Sequence, residues 1–154
     1  MNVEPFQTAE GSEYPCCRQL SIFLENRVGQ LLRITRLFED EPIHILGLSV
    51  DASVDCAIVR LLVDDPDTAH QILSDARFAL SESEVVVVAL PSGKRGILEI
   101  CSALIGGEIN INYLYTVWRT QQHQPCLAIQ VDDVQSAVRV LTKRNFQVLD
   151  QHEL

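Results

Sequence analysis

The chain has 154 residues, a formal net charge of −9 and a hydrophobic fraction of 47%. This length allows one domain or two small ones. The acidic balance argues against nucleic acid and an anionic membrane surface as partners, because both are themselves negatively charged. The five cysteines form no C-x-x-C pair, and the sequence has no secretory signal and no apolar run long enough to span a membrane. We therefore expect a cytoplasmic protein with free thiols.

Two halves, residues 19–83 and 84–154, are predicted to follow the same order of strand, helix, two strands, helix and strand. Before them, residues 1–18 lack periodicity, which indicates a mobile leader or a loosely docked arm. The predicted strands are 19–25, 43–50, 56–63 and 78–80 in the first half and 84–90, 109–119, 126–131 and 146–149 in the second.

Apolar residues at helical spacing lie between these strands. Proline and aspartate at Asp65–Asp67 predict the start of the second helix. Gly106 and Gly107 are predicted to stop the third helix, and Asn145 suits a left-handed cap after the fourth. The predicted buried faces are Leu31, Ile34, Leu37 and Phe38; Ala69, Ile72, Leu73 and Ala76; Ile97, Leu98, Cys101, Leu104 and Ile105; and Ala137, Val140 and Leu141.

This βαββαβ order predicts an α+β fold of two tandem ferredoxin-like units, each an antiparallel sheet with both helices on one face. Residues 84–90 are apolar at even and odd positions alike. Because a strand with one open face would alternate, we expect the face away from the helices to be covered by the other half or by a partner chain. The alternative is a central strand that merely favours β-branched residues.

Short motifs recur in the two halves at nearly constant spacing. Val28–Leu32 corresponds to Arg95–Glu99, and Ile43–Ile45 corresponds to Ile109–Ile111. Each unit alone would be marginally stable, so we expect the halves to pack against each other or against a second chain. The repeated Asp-Asp pairs at 64–65 and 132–133 could suggest a metal, but their place between a strand and a helix favours helix caps.

No catalytic or metal-binding pattern stands out. The four histidines and five cysteines lack the spacing of zinc sites, and the sequence has no phosphate-binding loop. We therefore expect no cofactor and no enzymatic activity. An enzyme that uses Cys101 or a histidine is the disfavoured alternative, because Cys101 lies on a predicted buried face, where thiols are usually inert.

The first strand-to-helix turn of each half is the candidate binding site. Residues 26–31 and 92–97 both place a glycine where a helix begins. The first amide N–H groups of a helix lack helical partners and attract anions such as a carboxylate. Glycine also lets a ligand approach the backbone closely, although turn geometry alone could require it.

Several of these segments, in this order, resemble the ACT domain pattern. The resemblance runs from about Gln19 to Gln151 in two copies and is similar to that of small stand-alone tandem ACT proteins. It implies a regulatory module that binds an amino acid at an interface between ACT domains. The matching segments are Leu24–Gly29, Ile43–Ile45 and Leu62–Ala69 in the first half, and Arg95–Leu98, Gly107–Ile111 and Val131–Asp133 in the second.

By this resemblance, the ligand contacts the first turn and the start of the second strand. A zwitterion suits this chemistry, since turn amides can hold its carboxylate and a side-chain amide oxygen can hold its ammonium group. The implied ligand-binding residues are Asn26, Arg27, Val28, Gly29 and His44 in the first half, and Ser92, Gly93, Lys94, Arg95, Gly96, Ile97 and Asn110 in the second.

The two copies depart from the family pattern in different ways. Val28 and Arg95 replace the usual proline before the turn glycine, and His44 stands where the second half has Asn110. Asn110 is therefore the better candidate for binding, although a hydrogen bond within its own loop is an equally plausible role. We expect two sites that are not equivalent.

The resulting hypothesis is a non-catalytic regulatory module that forms a homodimer. The alternative is a regulatory subunit of an amino-acid biosynthetic enzyme, similar to the small subunit of acetolactate synthase. Leu24–Asn26 and the chain length suit that family as well. A second copy of the turn glycine and of the Ile-Asn-Ile motif is not expected there, which favours the first hypothesis.

Overall fold

A computed structural model of the protein describes residues 14–154, so residues 1–13 of the predicted leader lie outside the described residues. The strands of this part are β1 (Cys17–Glu25), β2 (Ile45–Ala52), β3 (Cys56–Val63), β4 (Ala79–Ala89), β5 (Ile111–Trp118), β6 (Pro125–Val131) and β7 (Val148–Leu149). The helices are α1 (Gln30–Arg36), α2 (Pro66–Asp75), α3 (Gly96–Gly106) and α4 (Val134–Lys143), followed by a 3₁₀-helix at Gln151–Glu153. The predicted order of elements is found, except that the structure has seven strands where eight are predicted.

Two strands cross the predicted boundaries. β1 begins at Cys17, inside the predicted leader, and the Cys17 side chain is fully buried. The predicted strands 78–80 and 84–90 are one continuous strand, β4, which runs through the predicted boundary between the halves. The first part of β4 pairs with β1, and its last part pairs with β6 and β7. β4 therefore belongs to both halves.

The strands close into one barrel-like sheet. Their order is β1-β3-β2-β5-β6-β4, with β1 also paired to β4 and with β7 attached to β4. The described pairings are all antiparallel. The prediction of two separate sheets is therefore wrong, because the halves are joined through β4 on one side and between β2 and β5 on the other.

Gly47 allows β2 and β5 to approach each other. It pairs with Val117 on β5. A Cβ atom at position 47 would lie 2.9 Å from Cε2 of Tyr115 and 3.0 Å from Cγ2 of Val117. These separations are too short for a side chain, so the close approach requires glycine. We call this line of contact between β2 and β5 the seam.

The apolar core has three parts, one inside the barrel and one under the helices of each half. Val85 and Val87 point into the barrel, where residues of the first half such as Leu62 meet them. Val86 and Val88 point towards the helices of the second half. The prediction that both faces of this strand are covered is confirmed, and the other half supplies the cover.

A polar network crosses the inside of the barrel. Gln19 is fully buried, and its Nε2 donates to Oη of Tyr113 at 2.7 Å and to Oγ of Ser83 at 3.3 Å. Oη of Tyr115 donates to Oε1 of Gln19 at 2.8 Å, and burial raises the pKa of Tyr115. A different position of β5 across the barrel from β1 would leave these buried polar groups without partners. The network therefore helps to fix how the halves pack.

The C-terminal residues tie the halves together at one end of the barrel. Gln151 accepts from the backbone N–H of Arg18 at 3.0 Å and donates to the carbonyl of Val63 at 3.1 Å. Leu154 is buried in the core between the halves, and Nε of Arg119 donates to the carbonyl of Glu153 at 2.7 Å. Residues 150–154 thus cover the end where β1 begins.

The helices lie outside the barrel, and most of their predicted faces are correct. Ile34 and Phe38 are buried, whereas Leu31 is 38% exposed. The predicted face of α3 is mostly wrong. Leu104 is buried as predicted and Cys101 is half-buried, but Ile97, Leu98 and Ile105 are exposed. The other residues that α3 buries are Gly96, Ile100 and Ala103. Within residues 14–154, every helix falls short of the length and apolar character needed to span a bilayer.

Candidate functional site

The turn of the first half leaves open space above its glycine. Gly29 precedes α1 with a φ of +87°, a conformation that favours glycine, and a Cβ atom placed there would meet nothing within 4 Å. The side-chain Nδ2 of Asn26 donates to the carbonyl of Ser53 at 2.6 Å and fastens the turn to the β2–β3 loop. Arg27 pairs with Glu25 at 2.7 Å. The space above Gly29 faces solvent.

The turn of the second half has a different design. Its left-handed residue is Gly93, with a φ of +97° and open space where a Cβ would be. Gly96 is instead the buried first residue of α3, where a Cβ would lie 2.7 Å from the carbonyl oxygen of Pro91. Ser92, Lys94 and Arg95 are exposed, as is Ile97. The open part of this turn is therefore Gly93 and not Gly96.

The second strand of each half is fixed by an aspartate. The backbone N–H of His44 donates to Asp64 at 2.9 Å, and Nδ1 of His44 lies 2.7 Å from the same carboxylate. The backbone N–H of Asn110 donates to Asp132 at 3.3 Å, and its Nδ2 donates to Oδ1 of Asn112 at 3.0 Å. Asn110 therefore makes the hydrogen bond within its own loop that was the alternative to a role in ligand binding.

The two residues of each repeated aspartate pair have different roles. Asp65 accepts from the backbone N–H of Thr68 at 3.1 Å, and Asp133 accepts from that of Ser136 at 3.0 Å, so both are helix caps as predicted. Hydrogen bonds from the hydroxyl and N–H of these partners lower the pKa values of Asp65 and Asp133. The preceding aspartates, Asp64 and Asp132, are not caps but hold the start of the neighbouring strand.

Strand directions separate the residues that the sequence grouped within each half. β1 and β2 both run antiparallel to β3, so they are parallel to each other. The turn at 26–29 follows the end of β1, whereas His44 precedes the start of β2, and the two therefore lie at opposite ends of the sheet. In the second half, β4 and β5 both run antiparallel to β6 and are therefore parallel to each other. The turn at 92–95 follows the end of β4, whereas Asn110 precedes the start of β5, so these two also lie at opposite ends of the sheet.

The seam brings these elements together crosswise. β2 and β5 are antiparallel, so each strand starts at the end of the barrel where the other one finishes. Asn110 therefore shares an end with the turn at 26–29 of the first half, and His44 shares the other end with the turn at 92–95 of the second half. Each turn therefore lies at the opposite end of the barrel from the second-strand residue of its own half and at the same end as that of the other half.

A cavity of about 170 Å³ opens at the end that holds His44. Asp64, Arg18 and Gln151 line it together with Asp65, Pro66, Asp67 and His152. The guanidinium of Arg18 is engaged by Asp67 at 2.6 Å and by Glu82 at 2.9 Å. Sequence reasoning missed Arg18 and Gln151, since neither belongs to a motif and Arg18 falls in the predicted leader.

Two observations concern the metal-ligating and thiol side chains of the described residues. Within residues 14–154, no group of three or more histidine, cysteine and acidic side chains could hold a metal ion. Burial raises the pKa of the Cys17 thiol, which keeps it protonated and unreactive. The five cysteines are thiols and do not form disulfides.

Residues 16–154 match the sequence profile of a family described as an ACT domain pair. Among solved structures, protein BT0572 from Bacteroides thetaiotaomicron is similar over 93% of this chain and 100% of its own, with 27% identity and a TM-score of 0.82. The regulatory subunits of aspartate kinase from Thermus thermophilus, in its ligand-free form, and from Thermus flavus have TM-scores of 0.57 and 0.53.

These two aspartate kinase subunits share only 11% and 10% identity with this chain, over 85% of it and 93% of their own length, so the likeness shows the fold alone. No curated protein sequence matches significantly. The profile match covers both halves, including the two turns and the starts of β2 and β5. The chain therefore belongs to the ACT domain pair family.

Proposed function

We propose that this protein is a non-catalytic regulatory module that binds a small zwitterion, most fittingly an amino acid, at the ends of its barrel. Each site would combine the first turn of one half with the start of the second strand of the other half. The observation that supports this most is the antiparallel direction of β2 and β5, which gives each turn a polar residue from the other half.

The Asn110 end has the groups that a zwitterion needs. The turn at 26–29 has open space at Gly29, so a carboxylate can reach the first amides of α1. Because Nδ2 of Asn110 donates to Asn112, its Oδ1 remains to accept from an ammonium group. The departure at Val28 and its neighbour Arg27 give this end an exposed apolar and an exposed basic side chain.

The His44 end carries more charge. Lys94 and Arg95 are exposed beside the open backbone of Gly93, and α3 has 11 residues against 7 in α1. Two cations favour a carboxylate. The His44 ring is held by Asp64, which presents an imidazole where the other end has an amide. We therefore propose two sites with different ligand preferences.

The proposal includes a homodimer in a reducing cytoplasm. The five cysteine thiols suit that compartment. Family membership supports the regulatory role, since ACT domains are regulatory modules.

A thermal-shift screen of the common amino acids, followed by calorimetry, tests the proposal. We expect at least one amino acid to raise the melting temperature, since a ligand that binds only the folded state stabilises it. A uniformly flat response from folded protein would contradict ligand binding.

Substitutions then locate the site. Asn110→Ala should weaken binding about tenfold, which corresponds to the loss of one hydrogen bond to a charged group. Gln71→Ala, which removes an exposed amide on α2, is the matched control and should leave the affinity unchanged.

A second candidate is the regulatory subunit of an amino-acid biosynthetic enzyme. The resemblance to the small subunit of acetolactate synthase suggests it, and the regulatory subunits of aspartate kinase that share this fold are a parallel case. Co-purification from the native host separates the candidates: a stable catalytic partner favours the second, and isolation of the protein alone favours the first.

A further inference from the structure

Arg60 on β3 is shielded from solvent but poorly paired. Its side chain is 14% exposed, almost the same as the 15% of Arg18. The guanidinium of Arg18 is engaged at short range, since Asp67 lies 2.6 Å from its Nη1. Within residues 14–154, the acidic partner of Arg60 is Asp51, whose Oδ2 lies 3.9 Å from Nη1, beyond hydrogen-bond distance. A guanidinium has five N–H donors, so among the described residues the donors of Arg60 lack acceptors.

The Arg60 side chain lies on the inner face of the barrel. Leu62, two residues further along β3, belongs to the core inside the barrel, and alternate residues of a strand face the same side. The guanidinium carbon of Arg60 lies 3.9 Å from the centre of the Tyr113 ring, which packs against the same core. A guanidinium over an aromatic face keeps the N–H groups at its edge available for a carboxylate or a phosphate. Tyr113 therefore positions the Arg60 donors without using them.

Serine side chains flank Arg60 on both neighbouring strands. Ser21 on β1 and Ser49 on β2 are its direct partners in the two ladders, so the three side chains share one face of the sheet. Cβ atoms of such partners are about 4.5–5.5 Å apart. Ser21 is buried, and its Oγ accepts from Nε2 of Gln19 at 3.4 Å, which leaves its own proton to donate. The guanidinium and the two hydroxyls therefore form a row of hydrogen-bond donors across three strands.

The end of the barrel beside this row is open. Residues 150–154 cover the opposite end, where β1 begins. At the end where β1 finishes, Phe23 is 47% exposed, its ladder partner Ala79 is exposed, and the Asp51 side chain is 71% exposed. Among the described residues, every fully buried side-chain nitrogen and oxygen has a hydrogen-bond partner, so the unpaired nitrogens of Arg60 remain accessible to water. A small ligand can therefore reach them from this end.

We propose that Arg60, Ser21 and Ser49 form a binding site, the Arg60 site, for a small oxyanion, that is, a carboxylate or a phosphate group. A guanidinium pairs with such anions through short, charge-assisted N–H···O bonds, and the hydroxyls donate to the remaining oxygens. Asp51 competes with the anion, but an exposed ion pair is weak and its side chain can turn into solvent. The Arg60 site lies inside the barrel and uses neither turn, so it goes beyond the proposed function.

Titrations of the full chain with inorganic phosphate and with acetate test the Arg60 site. Chloride at the same ionic strength is the reference, and the net charge of −9 keeps unspecific attraction of anions low. We expect at least one of the two anions to shift the NMR signal of the Arg60 Nε–H group, which is identified by its absence from Arg60→Gln. The same anion should raise the melting temperature, because it binds the folded protein. A stronger response to phosphate or to acetate assigns the group that the site prefers.

Matched substitutions test whether Arg60 holds the anion. Arg60→Gln should weaken binding about tenfold, because it removes the positive charge and most of the donors. Arg139→Gln removes the same charge from an exposed position on α4 and should leave the affinity unchanged. Asp51→Asn removes the competing carboxylate and should strengthen binding about threefold, as expected for the loss of an exposed ion pair. Circular dichroism verifies that the variants are folded.

Each outcome supports or overturns the Arg60 site. A response to phosphate and acetate no larger than that to chloride overturns it, and so do equal affinities in the wild type and a folded Arg60→Gln variant. If Arg60→Gln does not fold, Asp51→Asn decides: tighter binding supports the site, and unchanged or weaker binding overturns it. Amino-acid binding is located by Asn110→Ala and anion binding by Arg60→Gln, so either proposal can fail without the other.

Discussion

Gly29 and Gly96 occupy corresponding places in the two halves, where the first strand passes into the first helix, but different contacts require them. Gly29 has a left-handed backbone and open space around it. Gly96 has an ordinary backbone and lies against the carbonyl of Pro91, so its own chain fills the space that a ligand would need. Correspondence in sequence therefore does not make the two turns equivalent.

The difference changes where a ligand can approach the second half. Gly93, which has no glycine counterpart in the first half, supplies the open left-handed position there. Lys94 and Arg95 follow it directly and make this turn more basic than the turn at 26–29. We conclude that the repeat has preserved the architecture while each turn developed its own chemistry.

Gly96→Ala should have the largest effect on stability among the turn substitutions. A Cβ atom 2.7 Å from the Pro91 carbonyl forces the backbone to move, at a cost of about 2 kcal/mol. In a chain of this size this lowers the melting temperature by about 4–8 °C. A melting temperature equal to that of the wild type would show that Gly96 is not needed for close packing.

Gly29→Ala and Gly93→Ala should each have a smaller effect, and the two effects should be similar. Both glycines have a left-handed φ and no neighbour within 4 Å, so only the backbone conformation opposes a Cβ. The expected cost is about 1 kcal/mol each, or about 2–4 °C in melting temperature. If Gly93→Ala proves as damaging as Gly96→Ala, the assignment of open space to Gly93 is incorrect.

Asp65→Ala and Asp133→Ala test a feature that is the same in both halves, the aspartate cap of the second helix. Both carboxylates cap a helix with the same pair of hydrogen bonds, so both substitutions should lower the urea midpoint slightly and to a similar extent. Unequal losses would contradict the equivalence of the caps.

These caps also predict a pH dependence. Their folded pKa values are lowered, so the carboxylates stabilise the protein fully above the unfolded pKa of about 4. The stabilisation is lost as the pH falls through the lowered pKa. The difference between wild type and each variant in urea unfolding should therefore shrink below about pH 4, and a constant difference down to acid pH would exclude ionised caps.

The sequence predicted the local elements well because each follows from residues close together in the chain. Asp65–Asp67 and the left-handed Asn145, with a φ of +63°, are examples. The face of α3 was mispredicted because the helix is apolar on nearly every side, so its periodicity contains no information about orientation.

The closed barrel could not be predicted for a different reason. Ser81–Ser83 fall between two predicted strands, but they continue β4, and Ser83 faces the buried Gln19 inside the barrel. Gly47 carries no signal in sequence until Tyr115 and Val117 are known to lie against it. These contacts join distant parts of the chain, and so does the crosswise arrangement of the proposed sites.

A double-mutant cycle tests the crosswise arrangement most directly. Calorimetry would measure binding of the amino acid that gives the largest thermal shift, using Arg95→Ala, His44→Ala, Asn110→Ala and the pairwise combinations. If the ligand binds at the His44 end, Arg95→Ala and His44→Ala should be coupled by more than about 0.5 kcal/mol, whereas Arg95→Ala and Asn110→Ala should be additive. Coupling of Arg95 to Asn110, with additivity towards His44, would contradict the account.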